Sequence, residues 1–570
     1  MLHTQKPTGL FRSIFRRIFR VGIPQVVIAI AAFLYVATTY SPGHDKERQW
    51  FFLFRTIVVI MALTLLGLWA IFFTGWNKRR TIPAIALLIG VGWILFRVEF
   101  DGDLRPSLHG RSWWLSRLGL AHEDDVDAHR QQTTGLPRRA IDLTPQSGDF
   151  PGYRGIDRTG VVDGPALSRD WNANPPRELW KQPTYGGYSA FAAVNGFLFT
   201  MEQRRDQEAV VCYDGANGNE LWVHEWPGRF GESMGGVGPR STPTVYDGDV
   251  FALGALGRLV CLEGATGKPK WVTETLEGNR NLRWAMSASP LVYGDYVVVN
   301  PGSQSPQSAG HALAAYDRRT GKKLVSSGKT QAGYSSPMLA RLAGEEHLLL
   351  FDGGGLAGYD PITLQERWRH PWRTQGSDGI NVAQPLVVER EQWPNPLLGF
   401  IAGVAALQPV VERKGQVFIA SAYGRGGAML QVERTADGWA VQEPWSTGRS
   451  VMRCKFASPV AYDGHIYGLD DGSLQCISME DGTVKWTDKR DPAEGEGFGH
   501  GQILLTGDLI VVLTQFGEIA IVEARPDRFV ELGRRKILKG SKTWNNPALA
   551  DGILYIRNHL EMAAVDLRVK

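Results

Sequence analysis

The stretch VVCYDGANGNELW, Val210 to Trp222, decides the fold. It reads as the end of one β-strand, an acid, a glycine turn, and a second strand that reaches tryptophan. The same order returns as LVCLEGATGKPKW (Leu259 to Trp271) and LQCISMEDGTVKW (Leu474 to Trp486), with looser copies between them. Recurrence at that spacing is the mark of a repeat array.

Around each copy, a small-residue and proline step leads into a strand, as in STPTVYDGDVFAL, SASPLVYGDYVVV and FASPVAYDGHIYGL. A DG or GD hairpin returns the chain, a third strand ends in Asp or Glu, and a glycine turn leads to the tryptophan strand. Units of this form fall at 189–226, 241–275, 287–328, 334–372, 381–445, 456–490, 499–538 and 543–570. Four such strands make a sheet that must stack on its neighbours to cover both faces. The expectation is an all-β, eight-bladed β-propeller of four-stranded antiparallel blades. The last unit stops at MAAVDLRVK without turn or tryptophan, while PRELWKQP (Pro176 to Pro183) is a spare tryptophan-bearing strand ahead of the first unit. Pairing the two would close the ring and remove its open edges.

Ahead of the repeats the chain is of another kind. Residues 21–40, 51–76 and 82–96 are apolar runs, read as three transmembrane helices in an anchor over 1–97. A cleaved signal peptide competes for the first, without a convincing small-residue cleavage site. Lys6, Arg12, Arg16, Arg17 and Arg20 precede the first run, and Lys78, Arg79 and Arg80 lie between the second and third. The positive-inside rule then sets the N-terminus in the cytoplasm and the propeller on the periplasmic side of a multi-pass inner-membrane protein, with membrane lipid as a partner. GRSWWLSRLGL (Gly110 to Leu120) reads as a helix at the lipid surface or as the start of the soluble part. Within the juxtamembrane region 98–148, the polar run Ala121 to Ala140 reads as a linker.

Composition excludes several classes. Net charge is only +4, and the basic runs sit beside apolar segments, so nucleic acid is not an expected partner. Four cysteines without CxxC or Cys/His spacing make neither a disulfide framework nor a metal site, and small-residue packing is their reading.

The phrase and its spacing resemble the tryptophan-docking repeat of pyrroloquinoline quinone-type eight-bladed propellers, and DFPGYRGIDRTG (Asp149 to Gly160) resembles their lead-in. The resemblance spans 149–570. Leu324 stands where unit three should carry Trp, Trp439 and Trp445 lie out of register in unit five, and EARPDRF replaces the turn of unit seven. It implies either a quinoprotein dehydrogenase, with pyrroloquinoline quinone and calcium at the ring centre, or a non-catalytic scaffold. The adjacent cysteine pair of many alcohol-oxidising members and a CxxCH haem motif are both missing.

Segments just before each inner strand should point at the axis. They bring Arg240, Arg283, Trp284, Tyr334, Asn381, Arg453, Lys455, His500, Lys542, Trp544 and Asn545 to one mouth. Arg240, Trp284, Asn381, Lys455, Trp544 and Asn545 are the candidates for holding a carboxylate-bearing or quinone-like ligand, through forked guanidinium contacts and flat indole faces. The alternative is that these groups fill and hydrate a polar channel. Calcium asks for converging carboxylate and amide oxygens, and only Asn381 and Asn545 suit, so no metal ligand is assigned. His500 is the general-base candidate if the protein is an enzyme. Pro394 to Gly415 is an insertion, uncharged from 396 to 411, that would present apolar surface to a protein partner or membrane, or fold over its own blade. The reading is a binding or scaffold module without catalysis; the alternative is a membrane-bound, quinone-dependent dehydrogenase of alcohols or sugars.

Overall fold

The glycine of the repeated phrase owes its place to the tryptophan of the preceding blade. In the computed structural model Gly218, Gly267, Gly321 and Gly482 have φ between +70° and +77°. A Cβ on Gly267 would lie 2.5 Å from Trp222 Cε3, and one on Gly321 2.5 Å from Trp271 Cε3. Each indole rests on the glycine of the next blade's turn, and its Nε1–H donates to a carbonyl three residues earlier in that turn: Trp180 to Gly215 at 2.8 Å, Trp222 to Gly264 at 2.9 Å, Trp271 to Arg318 at 2.8 Å and Trp445 to Met479 at 3.1 Å. Only glycine offers both the left-handed backbone and the open face. The phrase recurs because it lets a blade receive the indole of one neighbour and dock its own on the other.

Residues 25–34, 48–73, 78–100, 106–110, 122–133, 139–232, 234–277, 282–302, 312–375, 380–388, 415–488, 497–540 and 542–569 are described. Among them are eight four-stranded sheets, all antiparallel, seven of them in simple sequence order. Blades 1 to 7 span Ala192–Pro227, Thr244–Glu274, Leu291–Ser327, Met338–Pro371, Leu386–Ser446, Val460–Thr487 and Gln502–Lys536. Blade 8 takes three strands from Ala548–Asp566 and its outer strand from Arg177–Pro183. That outer strand pairs antiparallel with Glu561–Asp566, with Trp180 opposite Ala564 and Lys181 opposite Ala563. The ring therefore closes as expected, and side chains of the second strands such as Phe199, Leu253, Val299 and Phe351 are fully buried between sheets.

The irregular blades are repaired locally. The tryptophan position of blade 3 is held by Val325, opposite Ala315 as Trp271 stands opposite Cys261, and not by Leu324, which is exposed. No indole lies there between blades 3 and 4, and Tyr293 supplies the missing donor, its hydroxyl reaching Pro361 O at 2.5 Å. Leu364 occupies the turn's glycine position at φ +55°, fully buried, filling the space an indole would take. Trp445 is in register after all: a bulge between Met429 and Gln431 restores it opposite Met429. Trp439 instead meets His347 of blade 4 edge-on at 4.4 Å. At the altered turn of blade 7, Trp486 of blade 6 still donates to Arg525 O at 2.8 Å, with Phe529 against its ring at 5.6 Å.

The chain divides into two compact units, an N-terminal one of Met1–Ala121 with Ser233–Gly236 and a propeller unit of His122–Glu232 and Val237–Lys570. The described elements of 1–121 are a helix at 25–34, helices Arg48–Phe73 and Lys78–Leu95, and a hairpin pairing Phe96–Phe100 with Pro106–Gly110. Among the described residues no helix is long and apolar enough to cross a membrane, so the three expected spans are not obtained as such. The helix that holds the third run, Lys78–Leu95, begins with Lys78, Arg79 and Arg80 and has Pro83 within it, and the run's last residue, Phe96, already belongs to the hairpin. The run read as a linker is also different: His122–Thr133 is a helix, and Ile141 and Leu143 pack on the core of blades 1 and 2. The insertion at 396–411, and most of the Gly110 to Leu120 segment, lie outside the described residues.

Candidate functional site

In six of the eight units a proline at the step (Pro243, Pro290, Pro337, Pro385, Pro459 and Pro547) confines the residue before it to extended backbone, which starts those inner strands alike. The small hydroxyl residues at that step then join blade to blade. Ala190 N–H donates to Thr242 Oγ1 at 3.1 Å, Thr242 N–H to Ser289 Oγ at 2.9 Å, and Ser289 N–H to Ser336 Oγ at 2.9 Å. Ser336 N–H continues to Gln384 Oε1 at 3.3 Å, and Gln384 N–H to Ser458 Oγ at 2.9 Å. Gln502 Nε2 donates to Phe456 O at 3.1 Å and to Trp544 O at 3.0 Å, linking blades 6 to 8. A side-chain ring thus satisfies inner backbone groups that water would otherwise have to reach. The sequence signal for this role is a hydroxyl or amide side chain before proline in most units.

The lead-in crosses the ring on the other side of these steps. Arg154 and Arg158 are buried at φ +59° and +63°. Arg154 donates to Ile503 O at 3.1 Å and Pro459 O at 3.2 Å; Arg158 donates to Ser289 O at 2.9 Å, Pro337 O at 2.8 Å and Pro290 O at 2.5 Å. Val162 N–H to Leu505 O, and Val245 N–H to Pro151 O, both at 2.8 Å, fix its two ends. One guanidinium bridges blades 6 and 7, the other blades 3 and 4. Burial pushes the Arg158 guanidinium down to about 9, and its acceptors on the blades are these main-chain carbonyls and Thr244 Oγ1 at 3.5 Å. The lead-in is a plug spanning the inner strands.

At the mouth formed by the residues preceding the inner strands, the predicted side chains form two arcs. In the first, Arg240 lies over Tyr188 (5.6 Å), Tyr188 stacks on Trp544 (5.4 Å, 22° between planes), and Trp544 meets Phe456 at 4.9 Å. Phe456 contacts His500 at 5.2 Å, and His500 Nε2 lies 3.4 Å from Lys455 Nζ. In the second, Arg283 lies over Trp284 at 5.0 Å, and Trp284 meets Tyr334 at 5.8 Å. Lys455, His500, Lys542 and Asn545 are buried. Trp544 Nε1, Asn545 Oδ1 and Gln515 Nε2 are buried with no hydrogen-bond partner among the described residues. Gln515 was missed in the sequence because it belongs to a hairpin turn of blade 7; its Oε1 accepts from His500 N–H at 2.9 Å.

Other predicted groups are engaged in holding the frame. Asn381 Nδ2 donates to Asp352 O at 2.7 Å and Trp372 O at 3.1 Å, and its Oδ1 accepts from Ser421 at 2.7 Å. Asn545 Nδ2 donates to Ser189 O at 2.9 Å, closing blade 8 on blade 1. Arg453 forks onto Asp470 at 2.9 and 3.0 Å. Arg240 pairs with Glu232 at 3.3 Å, and burial pushes its guanidinium down.

This donor set does not fit calcium. The nearest carboxylates are held by arginines, the amide nitrogens face carbonyls, and among the described residues no group of three or more His, Cys, Asp or Glu side chains could hold a metal ion.

The family model for outer membrane protein assembly factor BamB, PQQ_2, matches residues 169–327 and 206–453, together half of the chain. The chain belongs to the PQQ_2 family. The curated quinohemoprotein alcohol dehydrogenase of Comamonas testosteroni is 22% identical over 204 residues, which is 35% of this chain and 26% of that protein. The alignment thus spans about a quarter of the relative's length. Its crystal structure matches with a TM-score of 0.50 at 14% identity, covering 78% of this chain and 85% of that chain. BamB from Moraxella catarrhalis matches with a TM-score of 0.45 at 16% identity, covering 69% and 99%. At such identities the structural likeness speaks for the fold alone.

Proposed function

We propose that this PQQ_2 propeller is a binding or scaffold module without catalysis, working on the extracytoplasmic side of the inner membrane. The observation that carries the reading is the make-up of the mouth. Cations, indoles and unpartnered polar atoms meet there, while its carboxylates are tied up by Arg240 and Arg453. Such a surface holds an anionic or carboxylate-bearing group and lacks converging oxygens for calcium. His500, the base candidate, is buried, with its Nε2 3.4 Å from Lys455 Nζ and its main-chain N–H donating to Gln515 Oε1.

Membrane attachment belongs to the same proposal. Apolar side chains stand exposed along the helices of the N-terminal unit, among them Ile60, Leu63, Leu87 and Ile89, and lipid is the environment that would cover them. The uncharged insertion at 396–411 would dock on a partner or on that membrane. Deleting 397–408 should then change membrane extraction or the set of co-purifying proteins, and leaving both unchanged rejects docking.

Incubating the purified protein with pyrroloquinoline quinone and Ca²⁺ separates the readings. The proposal expects no dye reduction across alcohols and aldoses. Stoichiometric quinone retention with turnover would make the protein a dehydrogenase.

A further inference from the structure

The latch strand, Arg177–Pro183, has three grips. Two repeat what other blades use: pairing with Glu561–Asp566, and docking of Trp180 on the blade 1 turn, with Gln182 Nε2 adding a bond to Gly218 O at 2.8 Å. The third is unlike anything else among the described residues. It is the helix His122–Thr133, which lies against the end of the latch strand and the edge of blade 1.

Its contacts are polar almost throughout. Val126 is its one buried side chain. His122 Nε2 meets Thr184 O at 2.9 Å and His129 Nε2 meets Gln182 Oε1 at 3.2 Å, so both ends of the helix touch the latch segment. Arg130 forks onto Glu220 at 2.9 and 3.0 Å. The Tyr185 hydroxyl donates to Asp127, and Arg205 bridges Asp124 at 3.0 Å and Asp127 at 2.6 Å. Beneath it lies a buried network. Arg204 joins Glu202 and Glu220 at 3.0 and 2.8 Å, and the Tyr213 hydroxyl donates to Glu202 at 2.7 Å. Arg557 of blade 8 crosses the closure to Met201 O and Tyr185 O, both at 2.8 Å. Thr184 and Tyr185 are thus gripped from outside by the helix and from inside by blade 8.

We propose that His122–Thr133 is a strap whose polar contacts hold the latch strand in place, so that undocking the helix loosens the closure of the ring. A helix with one buried apolar side chain has little else to hold it. Its exposed ion pairs weaken with salt, while the part-buried Arg130–Glu220 fork resists longer. A change that draws this helix away, including one imposed on the chain just before it, is thereby transmitted to the one blade whose sheet is assembled from both ends of the propeller.

Hydrogen–deuterium exchange on the full chain in detergent tests this with Arg130→Ala, with Asp124→Asn/Asp127→Asn, and with the unaltered protein moved from about 0.05 M to about 1 M NaCl. Both variants should raise uptake in 122–133 and, by about tenfold or more in rate, in 177–183 and 561–566. Peptides of blades 4 and 5 should keep their protection. High salt should give the same pattern in weaker form, which keeps the test independent of any variant's folding. If the helix is released and the latch peptides stay protected, the strap role is wrong. If the helix stays protected in both variants and at high salt, its polar contacts are not what holds it, and the proposal is equally overturned.

Discussion

Gly267→Ala isolates the interaction on which the ring is built. The position has φ +71°, and a methyl there would stand 2.5 Å from Trp222 Cε3 and 2.7 Å from Cδ2. A left-handed backbone costs an L-residue about 1 kcal/mol. Forcing the indole aside adds about 1–3 kcal/mol of overpacking, and moving it breaks the 2.9 Å bond from Trp222 Nε1 to Gly264 O, worth about 1 kcal/mol. The loss expected is about 3–5 kcal/mol. Gly248→Ala is the control, since Gly248 has φ +77° but nothing within 4 Å of its would-be Cβ, leaving only the backbone part of about 1 kcal/mol. Urea unfolding followed by tryptophan emission compares the two. A difference under about 0.5 kcal/mol would refute the claim that glycine is there for the neighbour's indole.

Arg158→Ala should strip the Ser289, Pro290 and Pro337 carbonyls of their guanidinium donor; with buried acceptors unmet, unfolding free energy should fall by about 3 kcal/mol or more, read by urea midpoint. Tyr293→Phe removes the hydroxyl that stands in for an indole at Pro361 O and should lose about 1 kcal/mol, with faster amide exchange confined to blades 3 and 4. Burial first, and Arg367 next, push the His347 imidazole down to about 4, against about 6.5 unfolded. The folded state then binds fewer protons in that window, so stability is whole above it and declines as pH falls through it. Unfolding at pH 7 and pH 5 should show the decline, and His347→Phe should flatten it. Burial raises the Glu220 pKa, yet Arg204 first and Arg130 with it hold the carboxyl below its usual range. Its contribution is present above the unfolded value of about 4.3 and lost as pH drops through the lower folded one, so amide exchange in 122–133 should rise on acidification and Glu220→Gln should blunt that response.

The blade limits and the latch were legible because turn, glycine and tryptophan stand in one short phrase whose geometry is local. Trp445 misled because a bulge at Met429/Gln431 shifts register by backbone hydrogen bonding, which composition does not carry. Tyr293 and Leu364 were invisible as a repair, since a phenol reaching Pro361 across 68 positions has no spacing rule. The strap read as linker because its helix buries only Val126, and apolar periodicity was the signal being sought. Of the mouth, the first arc came together as residues before inner strands should. Asn381 did not join it, because its amide is oriented by Asp352 O and Trp372 O, main-chain groups of blade 4 and the loop after it that follow no repeat spacing.

Everything at the mouth depends on the ring being closed by Arg177–Pro183. Lys181 and Ala563 are direct partners in the antiparallel pair, a spacing that suits a disulfide. Lys181→Cys/Ala563→Cys, oxidised mildly and digested, should yield one joined peptide from within a single chain, with the four native cysteines, all buried, left reduced. No joined peptide, or joining only between chains, would contradict the closed eight-bladed ring.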